Sequence, residues 1–576
     1  MSKLAWNDIN WTLVQERISR QQRRVYRASM EGNRAKTHAI QRRIICSLDA
    51  RLLAVRRVTT ENKERNTVGV DGVRTISDVK KIKLAYQLKL DGKVSPIKRT
   101  YTPRPGRSEK RPVGIPIIED RAKQMLAKFA LEPEWEAIFE PNSYGFRPGR
   151  SCHDAVATIF FSLRGRSQYV LEAEIQKCFD RIDHNKLLNK LSTFDLLNNQ
   201  IRAWLKADIM VGSLNRPDEV FQIIEGTLQD GIISPLLANI ALHGLGEYVK
   251  DWYANTWYPT TGQSSKVAKK DCRASIGFSR YASNFIITAS ERIEIEQIEN
   301  QVSIWLKNEA GLKLSKTKTR IVNSTEGFEF LGFQIITIKQ SNEKFKIKIH
   351  PSKASKSRII QQIRKIIQRN KSASSYNLIN LLSSRIISWA NYFRYSECNQ
   401  DFSKIDYLIF NQIRAWVFRR KSKNLKSRTK LKLKYFPEGK TYRFRGRDYI
   451  NNWILNGQTL TKKGEKKENF LPKMAWINSS QYIKIKGNAS PYDGNNLYWA
   501  ERVEKHSGFN HRISKLIRIQ EGYCKLWGRK FTPTDFIEAG HMKPKSKGRS
   551  DRYKNLQTIQ KHCHIQKSRL EKSVSK

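Results

Sequence analysis

Acidic side chains are what this chain has least of for its size. Across 576 residues, 53 Asp and Glu face 107 Lys and Arg, a formal net charge of +54. Such an excess repels itself unless a polyanion neutralises it, and counterions released from a phosphate backbone then drive binding. Cysteine is also scarce. Seven residues (46, 152, 178, 272, 398, 524 and 563) lie scattered in a large basic chain, a usage that points to reduced thiols rather than a disulfide framework. No apolar run approaches the length needed to span a bilayer. The positive charge runs along the whole chain instead of lining one amphipathic helix, so nucleic acid is a better partner than a membrane surface. No internal repeat is visible. The opening MSKLAWNDINWTLVQERISRQQRRVYRA carries acids and a helical pattern, unlike a signal or transit peptide.

What is present is enough to fold. Apolar residues make up 39% of the chain, with 13 Trp, 24 Phe and 21 Tyr, and the length suits roughly three or four domains. Near the start, Ile45, Leu48, Leu52 and Val55 fall on one helical face. From about residue 66 to 340 the texture changes to short strands, Gly/Pro turns and helices. Residues 280–290, RYASNFIITAS, read as two short strands around a tight turn, and 327–349 read as a hairpin turning at Ser341-Asn342. Two amphipathic helices follow, one carrying Ile359, Ile360, Ile363, Ile366 and Ile367, the other Leu378, Leu382, Ile386, Trp389 and Phe393. Residues 414–436 hold ten Lys/Arg and no acid, interleaved with Trp416, Phe418, Tyr435 and Phe436. Cations among aromatics can grip phosphates and stack on exposed bases. Arg419, Arg420, Lys421, Lys430, Lys432 and Lys434 are the RNA-binding candidates there.

The segments LLAVRRVTTEN…NTVGVDGV, RPVGIPIIEDRAKQMLAKFALEPEWEAIFEPNSYGFRPGRSCHDAV, VLEAEIQKCFDRIDH, GTLQDGIISPLLANIALHGL, RYASNFIITA, LSKTKTRIV, GFEFLGF and SWANYFRYSE occur in one order. Together they resemble the group II intron-encoded reverse transcriptase/maturases, especially the chloroplast and cyanobacterial type. The resemblance spans nearly the whole chain. It implies an α+β multidomain protein with a right-hand reverse-transcriptase fold of fingers and palm. A helical thumb, or maturase domain X, and a small ββα-metal, HNH-like tail complete it. The implied boundaries are 1–65 for an N-terminal helical extension, 66–345 for fingers and palm, 346–455 for the thumb, 456–514 for a linker or DNA-binding-like region, and 515–576 for the tail. In the family, Arg147 and Arg150 on the SYGFRPGR loop are expected to touch phosphate. The alternative is that Tyr144 and Phe146 anchor a turn and the arginines are solvated.

Polymerisation in the family uses two Mg²⁺ ions held by clustered carboxylates. The resemblance places them at three positions, and here those positions hold Glu174, Ser283 and Asn284. Three formal negative charges fall to one, so Mg²⁺ is not expected to seat, unless Asp180 or Asp183 stands in. The family's Thr-Pro-Gln-Gly turn reads TLQD, with Leu228 and Asp230 departing. In the tail, His541, Asn555 and His564 keep the spacing of His-Asn-His, which implies a general base, a loop-fixing amide and a metal ligand. Gly540 stands where the acidic ligand belongs, with Glu538 two residues back as a partial substitute. Cys524 has Trp527 in place of its Cys-x-x-Cys partner, which with Cys563 leaves a Zn²⁺ site short of ligands. Ile565 replaces a polar residue. The implied function is a maturase that binds its intron RNA and promotes splicing, with a scaffold palm and a tail that touches DNA or RNA. The alternative is an active reverse transcriptase and endonuclease for intron mobility. Family type favours a plastid, with mitochondrion or bacterium as alternatives. The oligomeric state is open, with a homodimer as one alternative.

Overall fold

The computed structural model describes residues 5–62, 64–103, 110–213, 216–222, 231–257, 269–420, 427–460, 464–506, 511–543 and 553–573. The chain forms two compact units. The first comprises Met1–Ser162, Leu171–Ile321 and Lys484–Lys576, the second Leu163–Val170 and Val322–Ile483. Among the described residues, no helix is long and apolar enough to cross a membrane.

The first unit opens with α1 (Trp11–Met30), α2 (Arg34–Cys46), α3 (Leu48–Arg56), a π-helical turn over Arg57–Glu61, and α4 (Asp78–Gln87). Asn10 and Asn33 cap α1 and α2 by accepting from the Leu13 and Lys36 amides, satisfying backbone donors that a helix start leaves bare. The apolar face of Ile45, Leu48, Leu52 and Val55 is divided between two helices. Ser47 takes an extended conformation between α2 and α3, an interruption that periodicity alone does not reveal.

Next come β1 (Ile97–Pro103), β2 (Lys110–Ile115), α5 (Ile118–Ile138), α6 (Cys152–Ser162), β3 (Tyr169–Glu174), α7 (Cys178–Arg181), α8 (His184–Leu191) and α9 (Asp195–Leu205). They are followed by β4 (Asp208–Ser213), β5 (Arg216–Gln222), α10 (Ser234–Ala241), α11 (Leu245–Trp257), α12 (Lys269–Ser275), β6 (Gly277–Tyr281), β7 (Asn284–Ala289), α13 (Arg292–Ala310) and β8 (Arg320–Asn323). One sheet has the order β2-β1-β4-β5 and another β6-β7-β3-β8. Strand β7 is interior to its sheet, and Phe285, Ile286, Ile287, Thr288 and Ala289 are all buried. A strand covered on both faces reads as a continuous apolar run rather than an alternation.

The second unit carries β9 (Phe328–Phe330), β10 (Phe333–Lys339) and β11 (Phe345–Pro351), an antiparallel meander. The hairpin expected over 327–349 is β10–β11, closed by Gln340 donating to the Lys344 carbonyl. Helices α14 (Lys353–Arg369), α15 (Ser375–Phe393), α16 (Asn399–Phe418) and α17 (Arg428–Tyr435) follow. Ser352 and Ser374 cap the first two of these. Ile359, Ile363 and Ile367 on α14, and Leu378, Leu382, Ile386 and Phe393 on α15, form the core. Two hairpins end the unit: β12 (Thr441–Phe444) with β13 (Arg447–Ile450), and β14 (Asn456–Leu460) with β15 (Lys466–Phe470).

The chain then returns to the first unit through α18 (Asn496–His506), α19 (His511–Ile519), β16 (Ile537–His541), β17 (Leu556–Gln560) and α20 (Lys561–Ser573). Residues 484–502, inside the stretch expected to be a linker, are anchored. Asp154 on α6 accepts from the Ile485 amide at 2.7 Å and from Arg502 at 2.6 Å, and Trp499 fills the space beside Gly149. The tail is fastened to the N-terminal extension. Buried Glu61 pairs with Arg56 at 3.1 Å, Arg57 at 3.0 Å and His562 at 3.4 Å. Gln15 donates to Asp535, Arg57 to the Thr534 carbonyl, and Lys561 to the Glu61 carbonyl.

Candidate functional site

The palm tip is assembled by backbone hydrogen bonds. Strands β6 and β7 pair from Gly277–Thr288 to Tyr281–Asn284, around a turn of Ala282 and Ser283. Ala282 adopts φ +56°, an unusual conformation for a residue with a side chain. Gly145 makes this arrangement possible, because a Cβ there would lie 2.3 Å from the Ala282 amide nitrogen. On either side of it, Tyr144 donates to the Arg280 carbonyl and Arg280 to the Asn142 carbonyl, each at 2.9 Å. At the end of β3, the Ile175 amide donates to the Ser283 carbonyl at 2.9 Å. The 313–318 segment lies on the other side of β3. Gln176 donates to the Lys313 carbonyl, Ser315 donates to the Glu174 carbonyl, and Ile175 bridges Leu314.

Glu174, Ser283 and Asn284, which the motifs put far apart in the chain, therefore stand together. Their donor set does not fit a pair of Mg²⁺ ions. It holds one carboxylate, a hydroxyl and an amide, and the carboxylate is ion-paired to the Lys318 ammonium. A hydroxyl and an amide lend oxygens to Mg²⁺ without offsetting its charge. Asp183 does not stand in: it caps α8 by accepting from the Lys186 amide at 2.9 Å. Asp180 lies half-buried in the single turn of α7. Lys318 lies within the LSKTKTRIV segment. No local pattern pairs it with a glutamate 144 positions earlier. Leu228 and Asp230 lie outside the described residues.

Arg147 and Arg150 are corrected by the structure. Arg147 is buried and forms a bidentate pair with Glu136, at 2.8 and 3.0 Å, while donating to the Glu140 and Ser143 carbonyls. Arg150 donates to the carbonyls of Pro141, Gly487 and Ala489. Burial pushes its guanidinium down to about 10. These guanidiniums are spent on contacts within the first unit, Arg147 to the 136–143 segment and Arg150 also to the 487–489 segment. Tyr144 is buried with its hydroxyl on Thr158, whereas Phe146 is exposed. Of the alternative, only the anchoring by Tyr144 matches the structure, since Phe146 is exposed and both arginines are buried.

In the tail, β16 and β17 pair antiparallel and α20 packs against them. Glu538 and Gly540 share one face of β16, since residues two apart point the same way. The Glu538 carboxylate reaches His564 Nδ1 at 3.0 Å. That hydrogen bond holds the Glu538 carboxyl below its usual range against the opposing effect of burial. A Cβ at Gly540 would come within 3.2 Å of the same imidazole. Asn555 fixes the loop, accepting from the Lys543 amide at 3.0 Å and donating to its carbonyl at 3.1 Å. Lys567 donates to the His541 and Met542 carbonyls. His541, Asn555 and His564 are thus held on one ββα frame, with Glu538 as the adjacent carboxylate.

Cys524 and Cys563 meet in an apolar cluster with Val503, Ile517, Phe531, Ile537 and Ile559. Trp527 packs against that cluster and lies 4.4 Å from the His562 ring, centroid to centroid. The knuckle is closed by Trp527 and Gly528 donating to the Cys524 carbonyl. Two thiols and an indole do not fit four-coordinate Zn²⁺. A hydrogen bond from Cys563 lowers the Cys524 thiol to about 6. Among the described residues, no group of three or more His, Cys, Asp or Glu is arranged to hold a metal ion.

In the second unit the basic–aromatic run is sorted by burial. Trp416 and Phe436 are core residues, not open stacking platforms. Trp416 donates to the Asn370 carbonyl at 3.1 Å, and Phe436 packs on Phe410 and Trp453. Arg420 lies 4.0 Å over the Trp416 ring and donates to the Ala373 and Lys371 carbonyls. Lys432 pairs with Glu438 at 2.5 Å and sits 4.9 Å above Trp453. Arg419, Lys430 and Lys434 are exposed. Lys421 lies outside the described residues.

Four family models match in chain order. Residues 6–88 match the N-terminal domain of reverse transcriptase and 98–335 the reverse transcriptase (RNA-dependent DNA polymerase). Residues 356–436 match the group II intron maturase-specific domain, and 523–570 match the HNH endonuclease. The chain is therefore a reverse-transcriptase-fold protein carrying a maturase domain and an HNH-like tail. Protein YkfC of Escherichia coli is 31% identical over 303 residues, covering 49% of this chain and 78% of that protein. The group II intron-encoded protein LtrA of Lactococcus lactis is 29% identical over 343 residues, covering 49% of this chain and 55% of that protein. Maturase-like protein 1 of Euglena gracilis is 26% identical, covering 68% of this chain and 76% of that protein. A solved telomerase from Candida albicans covers 57% of this chain and 59% of that one, at 13% identity and a TM-score of 0.33. The chain belongs to the group II intron-encoded reverse transcriptase/maturase family.

Proposed function

We propose that this chain is a maturase that grips folded intron RNA and favours its splicing-competent form, with the palm retained as scaffold. The observation that carries this reading is the palm tip: one glutamate, neutralised by Lys318, where three metal-holding carboxylates are needed. The cores of the palm and thumb are meanwhile intact. Catalytic metals for splicing are then supplied by the RNA, and the protein contributes cationic surface. Arg419, Lys430 and Lys434 are the exposed cations of the maturase domain that suit phosphate contact.

The test has two arms. Immunoprecipitation of the protein should recover an unspliced group II intron, and recovery of unrelated RNA alone would defeat the reading. Purified protein with Mg²⁺ or Mn²⁺ should not extend a primer; clear cDNA synthesis abolished by Glu174→Ala would end the scaffold account of the palm.

A second reading, residual DNA nicking by the tail, is favoured by one observation. Glu538 contacts His564 while His541 and Asn555 keep their frame. Nicking of supercoiled DNA that is lost in His541→Ala would support it.

A further inference from the structure

The segment 313–318 lies hydrogen-bonded along the end of β3, which in turn is bonded to the hairpin tip. It brings Lys313, Lys316 and Lys318 to the palm tip, and Lys177 follows β3 directly in a left-handed conformation, φ +45°. Lys177, Lys313 and Lys316 are exposed and make no ion pair among the described residues. The nearby acids are occupied. Glu174 is paired with Lys318, Glu172 with Arg320 at 2.8 Å, and Asp183 caps α8. Asp180 also has an interaction partner.

A phosphate approaching a cluster of uncompensated carboxylates would be repelled. Here Ser283 and Asn284 are half-buried, neutral and able to hydrogen-bond, and the surrounding surplus is positive. We propose that the palm tip has become an anion site that holds the sugar–phosphate backbone of an RNA strand. Lys177, Lys313 and Lys316 supply the charge, and Ser283 and Asn284 supply neutral hydrogen bonds. The inference rests on the maturase reading and deepens it: the disused polymerase centre is part of the RNA grip.

The probe is a transcribed group II intron RNA, bound to the full chain over a range of KCl concentrations, with tRNA as competitor. Lys177→Gln/Lys313→Gln/Lys316→Gln should lower the salt slope by about 2, the value for three lost contacts to a single strand. Ser283→Asp/Asn284→Asp should weaken binding about tenfold through added negative charge, while Ser283→Ala/Asn284→Ala should shift it by about twofold at most. Ultraviolet cross-linking should leave nucleotide adducts on the peptide containing Lys313–Lys318, a readout that does not depend on any substitution folding.

Wild-type affinity and slope in the lysine variant, with adducts only elsewhere, would overturn the inference while leaving the maturase reading standing. Wild-type protein that prefers intron RNA no more than tRNA would overturn both.

Discussion

The palm tip and the HNH-like tail lie within one compact unit, and their acidic side chains are arranged differently. At the palm, Ser283 and Asn284 stand beside Glu174, and that carboxylate is held by a lysine from a distant segment. In the tail, position 540 is glycine, but Glu538 on the same strand face contacts His564. The first centre pairs its carboxylate with a lysine and is flanked by exposed lysines. The second keeps a carboxylate against its histidine. A site flanked by cations suits an anionic partner, whereas a carboxylate–histidine contact suits acid–base chemistry. The two also differ in what holds them. The palm tip is bound by its own backbone ladder, and the tail relies on a buried ion cluster shared with the N-terminal extension.

The largest expected effect probes that dependence. Glu61→Ala leaves Arg56 and Arg57 buried without their partner and should cost about 3–5 kcal/mol. Limited proteolysis should then release tail peptides before palm peptides. Equal protection of both would show that the tail stands on its own.

Next is Gly540→Asp, which returns a carboxylate beside His564. Nicking with Mg²⁺ or Mn²⁺ should rise about a hundredfold, about 2.7 kcal/mol in barrier, once the crowded imidazole yields a few tenths of an ångström. His541→Ala should cancel the gain. Ser283→Asp/Asn284→Asp, by contrast, should give no cDNA, because Lys318 still holds Glu174. Primer extension by that variant would erase the distinction between the two centres.

A smaller effect follows pH. Burial pushes His562 down to about 4 from an ordinary 6.5, so its neutral form is the stabilising one. That contribution is complete above pH 6.5 and is lost as pH falls through about 4. Burial opposes ionisation of Glu61, but Arg56, Arg57 and His562 outweigh it and hold the carboxyl well below its ordinary 4.5. Its contribution is complete above pH 4.5 and is likewise lost on acidification. Tail protection measured by hydrogen exchange should therefore be flat above pH 6.5 and fall toward pH 4, no less steeply in Glu61→Gln, because Glu61 opposes the burial that depresses His562. Rising protection on acidification would contradict the assignment.

The smallest effect is Glu174→Gln. Both partners of the Lys318 pair are about a third exposed, so thermal denaturation should register at most about 1 kcal/mol. A larger loss would mean the pair holds the palm together instead of merely neutralising it.

Much of this was legible in the residues. The hairpin at 280–290, the β10–β11 hairpin and the two thumb helices follow from side-chain periodicity, because periods of 2 and 3.6 are set by local backbone geometry. Local signals could not say which cations are spent internally. Arg147 and Arg150 look like surface cations on a Gly/Pro loop, yet the loop runs as an edge beside Arg280 and turns both guanidiniums toward carbonyls. Trp416 and Phe436 read as aromatics within a basic tract, and their burial follows from the helices and hairpins that enclose them. The anchoring of residues 484–502 depends on Asp154, more than 300 positions earlier in the chain.

Composition and motif order by themselves determined that this is a strongly basic protein of the intron-encoded family, with Glu174, Ser283 and Asn284 at the palm motifs. Those are properties of residue identity, and folding does not change them. Only the tertiary structure decided that Lys318 neutralises Glu174, that Glu538 reaches His564, and that the tail is fastened through Glu61. Each joins side chains distant in sequence or aimed by a strand face, and Coulombic attraction depends on separation in space, not on separation along the chain.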